Sequence, residues 1–342
     1  MADAQNHMAK EIAEIPSSVQ YQIDNGLDLY VSEGRRVAEL NPPFLTTCAR
    51  GSSDYAAMFL KYLVEIGLGL PVASIGPSIA SIYESNLRLD LSVSVAISQS
   101  GASPDIVKLQ EFAGQGGART ISVLNTPESP VGNASMSVLP VFAGPEHAVA
   151  ATKSFVGSLV AVCGLFAGLS GDREIEAALR DLPSRLSTAL ECDWSSTVDP
   201  VAQSHSLYTI GRGSTLAIAG EAALKLKETC LIHAEAFSAA EVRHGPIALA
   251  RQGFTSLAFV PEDRAKQSVL GIANEIAALG AKAICVGGGD LSGVGTWRDP
   301  PPHPALVPIC QITAFYVFAE KLSRQLERDK MPSVLSKITK TV

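Results

Sequence analysis

Leu91-Ser92-Val93-Ser94-Val95-Ala96-Ile97-Ser98-Gln99-Ser100-Gly101-Ala102-Ser103-Pro104-Asp105 is the stretch that decides the fold. Its first seven residues form a β-rich run. The polar turn Ser98-Gln99-Ser100-Gly101 follows, and the next helix is expected to start near Ser103-Pro104-Asp105. Serine is a favoured N-cap, and proline suits the first helical position because it needs no hydrogen-bonded N–H there. Strand, polar turn and helix in that order point to a βαβ unit of a parallel sheet, where ligands sit at the carboxyl ends of the strands. The turn is suited to an anion such as a phosphate. Two hydroxyls and an amide offer neutral donors, the glycine lets backbone approach closely, and a helix N-terminus adds unpaired N–H groups and partial positive charge. Ser103 extends the cluster, and Ser52 and Ser53, at the end of a neighbouring strand, are within reach of the same anion by this topology.

The same alternation runs outward in both directions. Met1–Ser32 is a polar lead-in with helical pieces such as 19–29, and 44–49 is a short apolar strand ending in Arg50-Gly51-Ser52-Ser53. A helix is expected over 54–66, strands over 120–124 and 137–141, and helices over 152–168 and 174–190. The pattern then restarts: a strand over 207–210, a helix over about 216–232, a strand over 255–260, a helix over 266–279, a strand over 283–286 and a last helix over 309–328. The segment 290–304, rich in Gly and Pro, reads as loop. Strands alternating with helices of 10–17 residues predict an α/β fold with parallel sheets. Thr46-Thr47-Cys48-Ala49-Arg50-Gly51-Ser52 resembles Thr209-Ile210-Gly211-Arg212-Gly213-Ser214, a sign of duplication with one α/β unit per half. The boundary between the halves is expected near 192–199.

Composition narrows the partners. The chain has 342 residues, 46% hydrophobic and only 18% charged, with a net charge of -7. Roughly 25% charged is ordinary for a soluble protein, so helices buried on several faces are expected. With no long basic run, nucleic acid is excluded as a partner, and a phosphate must be held by local donors against an unfavourable overall field. The stretch 148–170 comes closest to a membrane span, but Lys153 and several Gly and Ser interrupt it, so no membrane partner is expected. The six scattered cysteines form no CxxC and read as small buried hydrophobes in a reducing compartment. The start lacks a basic segment followed by an apolar one, and a cytoplasmic location is the expectation.

The second half carries the titratable groups. Glu221, Lys225 and Glu228 are spaced i, i+4, i+7 and share one helical face. That spacing alone also fits a solvated face with an ordinary ion pair. His233-Ala234-Glu235-Ala236 and Glu241-Val242-Arg243-His244-Gly245-Pro246 add two His and two Glu nearby, a density that suggests acid–base chemistry. His233, Glu241 and His244 are a rival metal set, but neither HxH nor HExxH spacing is present, so no metal is expected. The strand end equivalent to the anion turn reads Pro261-Glu262-Asp263, whose carboxylates would repel phosphate. One anion site per chain is therefore expected.

These motifs together resemble the SIS (sugar isomerase) superfamily, in particular the isomerase half of the glutamine–fructose-6-phosphate aminotransferases. The matching pieces are Arg50-Gly51-Ser52-Ser53, Ser98-Gln99-Ser100-Gly101, Glu146 through Lys153, Glu221 through Glu228, Ile232 through Ala236, Glu241 through Pro246 and Leu335-Ser336-Lys337. The resemblance implies two tandem three-layer αβα SIS units, flavodoxin-like with parallel sheets. The expected divisions are a helical lead-in (1–32), a phosphate-binding domain (33–192), a domain with the catalytic helix (199–330) and a tail over the active site (331–342). It implies a phosphate site of Ser53, Ser98, Gln99, Ser100 and Ser103. Sugar contacts would come from Arg50, Gly51, Ser52, Val149, Ala151 and Glu221. Glu228 takes the place of the base that moves a proton between C1 and C2, with Lys225 beside it. His244 matches the ring-opening residue, lent in this family by the other subunit of a homodimer. Lys337 matches the tail lysine that meets the sugar carbonyl. No cofactor is required.

Two departures from the family refine this. No cysteine lies near the start, and about 30 residues precede the first SIS half, so drawing ammonia from glutamine is not expected. Arg50 stands where the synthases have cysteine, and Ala151 where Ser is usual. Arg-Gly-Ser-Ser-Asp with Ser-Gln-Ser-Gly-x-Ser-Pro-Asp resembles more closely the stand-alone glucosamine-6-phosphate deaminases of SIS type. The sequence therefore predicts an amino sugar phosphate deaminase/isomerase that turns glucosamine 6-phosphate into fructose 6-phosphate and ammonia. The alternatives are a transaminase-like isomerase, an aldose–ketose phosphosugar isomerase or deglycase, and a non-catalytic phosphosugar-binding regulator.

Overall fold

The computed structural model describes residues 7–204, 206–288 and 300–328. Two parallel sheets organise it. The first contains β1 (Leu45–Cys48), β2 (Val72–Ser74), β3 (Val93–Ser98), β4 (Arg119–Leu124) and β5 (Ser137–Pro140), in the order β2-β1-β3-β4-β5. The second contains β6 (Ser206–Gly211), β7 (His233–Ser238), β8 (Thr255–Phe259) and β9 (Lys282–Val286), in the order β7-β6-β8-β9. Every pairing in both is parallel. The expected α/β architecture of two tandem units is what the chain adopts.

Both sheets have the same construction. From β1 the chain moves one way to β2, then returns to place β3 on the other side of β1. From β6 it does the same with β7 and β8. The loops after β1 and β3, and those after β6 and β8, therefore lie at points where the strand order reverses, and crevices open at such points. The duplication extends to backbone detail. Gly51, before the helix Ser52–Leu68, has φ 56° and ψ −134°, and Gly213, before the helix Ser214–Cys230, has φ 61° and ψ −135°.

Contacts divide the chain into two compact units. One carries the first sheet, most of the helix Ile15–Leu40 and the helix Lys153–Ser170; the other carries the second sheet, the helix Val307–Gln325, the N-terminal helix His7–Ala13 and the loop residues His147–Thr152. In the first unit all strand positions of β1 and β3 are buried. The helix Lys153–Ser170 is apolar all round and buried through Leu169, as such a helix must be. It and Pro304–Gln325 are long and apolar enough to cross a membrane by length and composition, but 94% and 78% of their apolar windows are buried inside the fold. In the second unit Trp194 stacks on Phe318 at 4.8 Å, and Phe315 meets Phe259 edge-on.

The six cysteines are free, and all but Cys192 are buried. Burial pushes the Cys48 thiol up to about 12 and those of Cys192, Cys230 and Cys285 to about 11. They are packing groups, as their apolar neighbours suggested.

Several elements differ from the sequence expectation, among them the helix Ser195–Ala202 at the expected boundary. The lead-in is two helices, His7–Ala13 and Ile15–Leu40, the second running past position 32. Val72–Ser74 is a strand too short to show a period. The stretch His233–Ser238, singled out for its ionisable residues, is the edge strand β7; it alternates exposed and covered positions at its start, with His233 and Glu235 exposed and Ala234 buried.

Candidate functional site

In the first unit the anion turn sits where expected. Strand β3 ends at Ser98, whose Oγ accepts the Gly101 N–H at 3.0 Å, and Ser100 Oγ accepts the Ala102 N–H at 3.3 Å. Gly101 has φ 60°, and a Cβ there would lie 2.0 Å from Ser129 Oγ. Only glycine satisfies both constraints. Ser103 occupies the N-cap position of the helix Pro104–Gln115, yet its side chain makes no capping bond; neither does any side chain at Gly51 ahead of Ser52–Leu68. Ser52, Ser53, Gln99, Ser100 and Ser103 are all partly exposed. The arrangement offers hydroxyls and helix-end N–H groups to an anion at the reversal point between β1 and β3.

Arg50 has a role that the sequence did not suggest. Its Nε and Nη2 donate to Asp105 Oδ2 at 3.0 and 2.8 Å, and Asp105 is fully buried, with Oδ1 accepting the Ile106 N–H. The pair ties the loop after β1 to the helix after β3. It neutralises much of the arginine's charge, so the phosphate would rely on neutral donors. Burial raises the pKa of the nearby Asp54, and Arg50 opposes the shift.

The second unit holds the candidate acid–base residues. Along the helix Ser214–Cys230 the side chains of Glu221 and Lys225 are 0% and 1% exposed and that of Glu228 is 24% exposed. Lys225 Nζ donates to Glu228 Oε2 at 2.5 Å and lies 3.5 Å from Glu221 Oε1, which also accepts from Tyr316 Oη at 2.9 Å. This is no solvated helix face. A cation held between two carboxylates, one of them partly open, leaves Glu228 fixed in place yet accessible.

The other titratable residues do not join it as one cluster. His233 meets Ser206 Oγ through Nδ1 at 3.2 Å on the edge of the sheet. His244 ends the short 3-10 helix Glu241–His244 and is exposed. Its segment is held by Arg243, which grips Glu275 at 3.0 and 2.7 Å, and by Tyr208 Oη, which donates to the Pro246 carbonyl at 3.0 Å. Among the described residues no three of His, Cys, Asp and Glu converge as ion ligands. After β8, Glu262 is taken up by Lys266 at 2.8 Å, and Arg212 donates to Ser268 Oγ at 3.0 Å, the counterpart of the Arg50 contact. Val149 and Ala151 lie partly exposed in the irregular segment before Lys153. Lys337 lies outside the described residues.

The SIS domain model matches residues 45–167 and 201–296, which contain the described strands of both sheets and the helices between them. The chain belongs to the SIS domain family. A glutamine–fructose-6-phosphate aminotransferase [isomerizing] of Bradyrhizobium diazoefficiens is 33% identical to this SIS chain over 301 residues, covering 83% of it and 49% of the relative. The chain thus spans about half the length of the curated relatives it matches. A Silicibacter pomeroyi protein described as a candidate phosphosugar isomerase is 40% identical, with a TM-score of 0.90 over 94% of this chain and 99% of that one. The C-terminal domain of a glucosamine-fructose-6-phosphate aminotransferase from Francisella tularensis is 25% identical, with a TM-score of 0.81, covering 94% and 96%.

Within this SIS chain, residues missed from sequence act through others: Asp105 on Arg50, Tyr316 on Glu221, Glu275 and Tyr208 on the His244 segment. Each partner is far along the chain, and no local spacing announces it. One substitution tests the turn. Gly101→Ala is expected to weaken binding of inorganic phosphate at least about fivefold, because the new methyl must displace Ser129 or strain the φ, at about 1–3 kcal/mol. Calorimetric titration reads this; unchanged affinity would show that the turn does not hold the anion.

Proposed function

We propose that this chain converts glucosamine 6-phosphate and water to fructose 6-phosphate and ammonia. The observation that carries the reading is the Lys225–Glu228 contact on a buried helix face, which offers a fixed, accessible carboxylate for proton transfer. In the reading, Ser53, Ser98, Gln99, Ser100 and Ser103 hold the phosphate, and Val149, Ala151 and Glu221 shape the sugar site. His244 opens the hemiacetal ring, a step suited to a group titrating near neutrality. Glu228 takes the proton from C2 of the open-chain aldehyde and returns it to C1 while a proton passes from the C2 amine to O1, leaving a hydroxymethyl group at C1 and a ketimine at C2. Water adds to C2, the C–N bond breaks, and ammonia leaves. Lys337 would meet the sugar carbonyl from the tail.

Deamination is favoured over the other reactions by the motifs that distinguish stand-alone deaminases. Arg50 of Arg-Gly-Ser-Ser-Asp bonds to Asp105 of Ser-Pro-Asp, so the two motifs work as one structural unit. A panel of amino sugar 6-phosphates, assayed for fructose 6-phosphate by a coupled dehydrogenase, tests the substrate. Turnover of glucosamine 6-phosphate above the rest supports the reading, and its absence refutes it.

The reading also makes the enzyme a homodimer, with His244 lent to the partner's substrate. The exposure of His244 on a segment braced from behind suits that use. Mixing His244→Ala with Glu228→Gln subunits is then expected to restore up to about half of wild-type activity per heterodimer, or about a quarter in a random mixture, through the one intact site each heterodimer contains. No recovery in verified heterodimers would refute the shared site.

A further inference from the structure

The N-terminal helix His7–Ala13 carries a group that the proposed reaction does not use. Glu11 is 3% exposed, and its carboxylate accepts the backbone N–H of His147 and, at 3.3 Å from each oxygen, that of Ala148. From the same helix, the His7 ring lies 5.4 Å from that of His147. Burying a carboxylate is costly unless strong hydrogen bonds compensate. Here both oxygens serve one short piece of irregular backbone, and charge-assisted bonds of this kind are the stronger class. Just before that piece, Glu146 accepts from Ser154 N at 3.1 Å and Ser154 Oγ at 2.6 Å, which fixes the base of the segment. Val149 and Ala151 therefore sit on a loop whose first amides are fastened by Glu11. The helix itself packs on Val307–Gln325, so the fastening point is anchored in turn.

We propose that Glu11 is a positioning residue that sets the loop His147–Thr152 against the sugar rather than the phosphate. The proposal rests on the reading that Val149 and Ala151 meet the sugar. Its test separates the two. Glu11→Gln and Glu11→Ala are compared with wild type by amide hydrogen exchange and by calorimetric binding of fructose 6-phosphate and of inorganic phosphate.

Faster exchange at His147 and Ala148, at least about tenfold weaker fructose 6-phosphate binding and unchanged phosphate binding are expected, since small misplacements of positioning groups are costly. Thermal melts confirm folding, and Glu11→Gln, which keeps one acceptor oxygen and the volume, serves if Glu11→Ala fails to fold. Unchanged exchange overturns the fastening itself. Faster exchange with the affinity for fructose 6-phosphate intact overturns the sugar role and leaves Glu11 a structural residue. Because both readouts are independent of turnover, failure of the deaminase assay leaves this test standing.

Discussion

Glu228→Gln is expected to lower kcat on glucosamine 6-phosphate by roughly 10²–10⁴-fold, the range that a positioned proton-transfer group contributes. The amide keeps the shape of the carboxylate and a hydrogen-bonding oxygen for Lys225 Nζ, but it cannot take a proton from C2. Affinity for fructose 6-phosphate should change little, because the residues proposed to hold the phosphate lie on other elements. Steady-state kinetics with a parallel binding titration separates the two effects. Comparable losses of kcat and affinity would mean that Glu228 is a binding group. Retained kcat would remove it from the chemistry.

Lys225→Met should produce the second large effect, on stability and activity together. Lys225 is buried between Glu221, which is fully buried, and Glu228. Removing the cation leaves two carboxylates about two turns apart on one face of the helix without the lysine between them. Breaking a buried pair from one side costs about 3–5 kcal/mol. Urea unfolding should read a loss of that size, and kcat should fall because Glu228 loses the contact that fixes it. A variant as stable as wild type would show that the cluster is solvated in solution and that its spacing is only an ordinary helical ion pair.

Much of the fold was legible because each central strand is a short run rich in β-branched and apolar residues ended by a polar turn, as in Val93–Ser98 followed by Gln99-Ser100-Gly101. The helix faces followed from the same logic. The edge strand β7 was not legible, since an edge needs only one covered face and His233-Ala234-Glu235 reads as polar. The turn proposed for the anion stands out because its hydroxyls and amide are consecutive. The meeting of Glu221, Lys225 and Glu228 could be read because they are spaced i, i+4, i+7. What escaped were pairings across long stretches of chain. Arg50 was expected to touch sugar, and the structure pairs it with Asp105. Glu11, in a segment read as a polar lead-in, reaches His147. Whether such a carboxylate is buried depends on which backbone it meets, and that is fixed only when the chain is packed.

The most direct test of the proposed chemistry is to quantify ammonia and fructose 6-phosphate together from purified protein and glucosamine 6-phosphate, with no glutamine present. The account predicts that the two appear in equal amounts and at the same rate, and that both vanish in Glu228→Gln. A ketose that keeps its nitrogen, with no ammonia released, would contradict it and make the chain an isomerase.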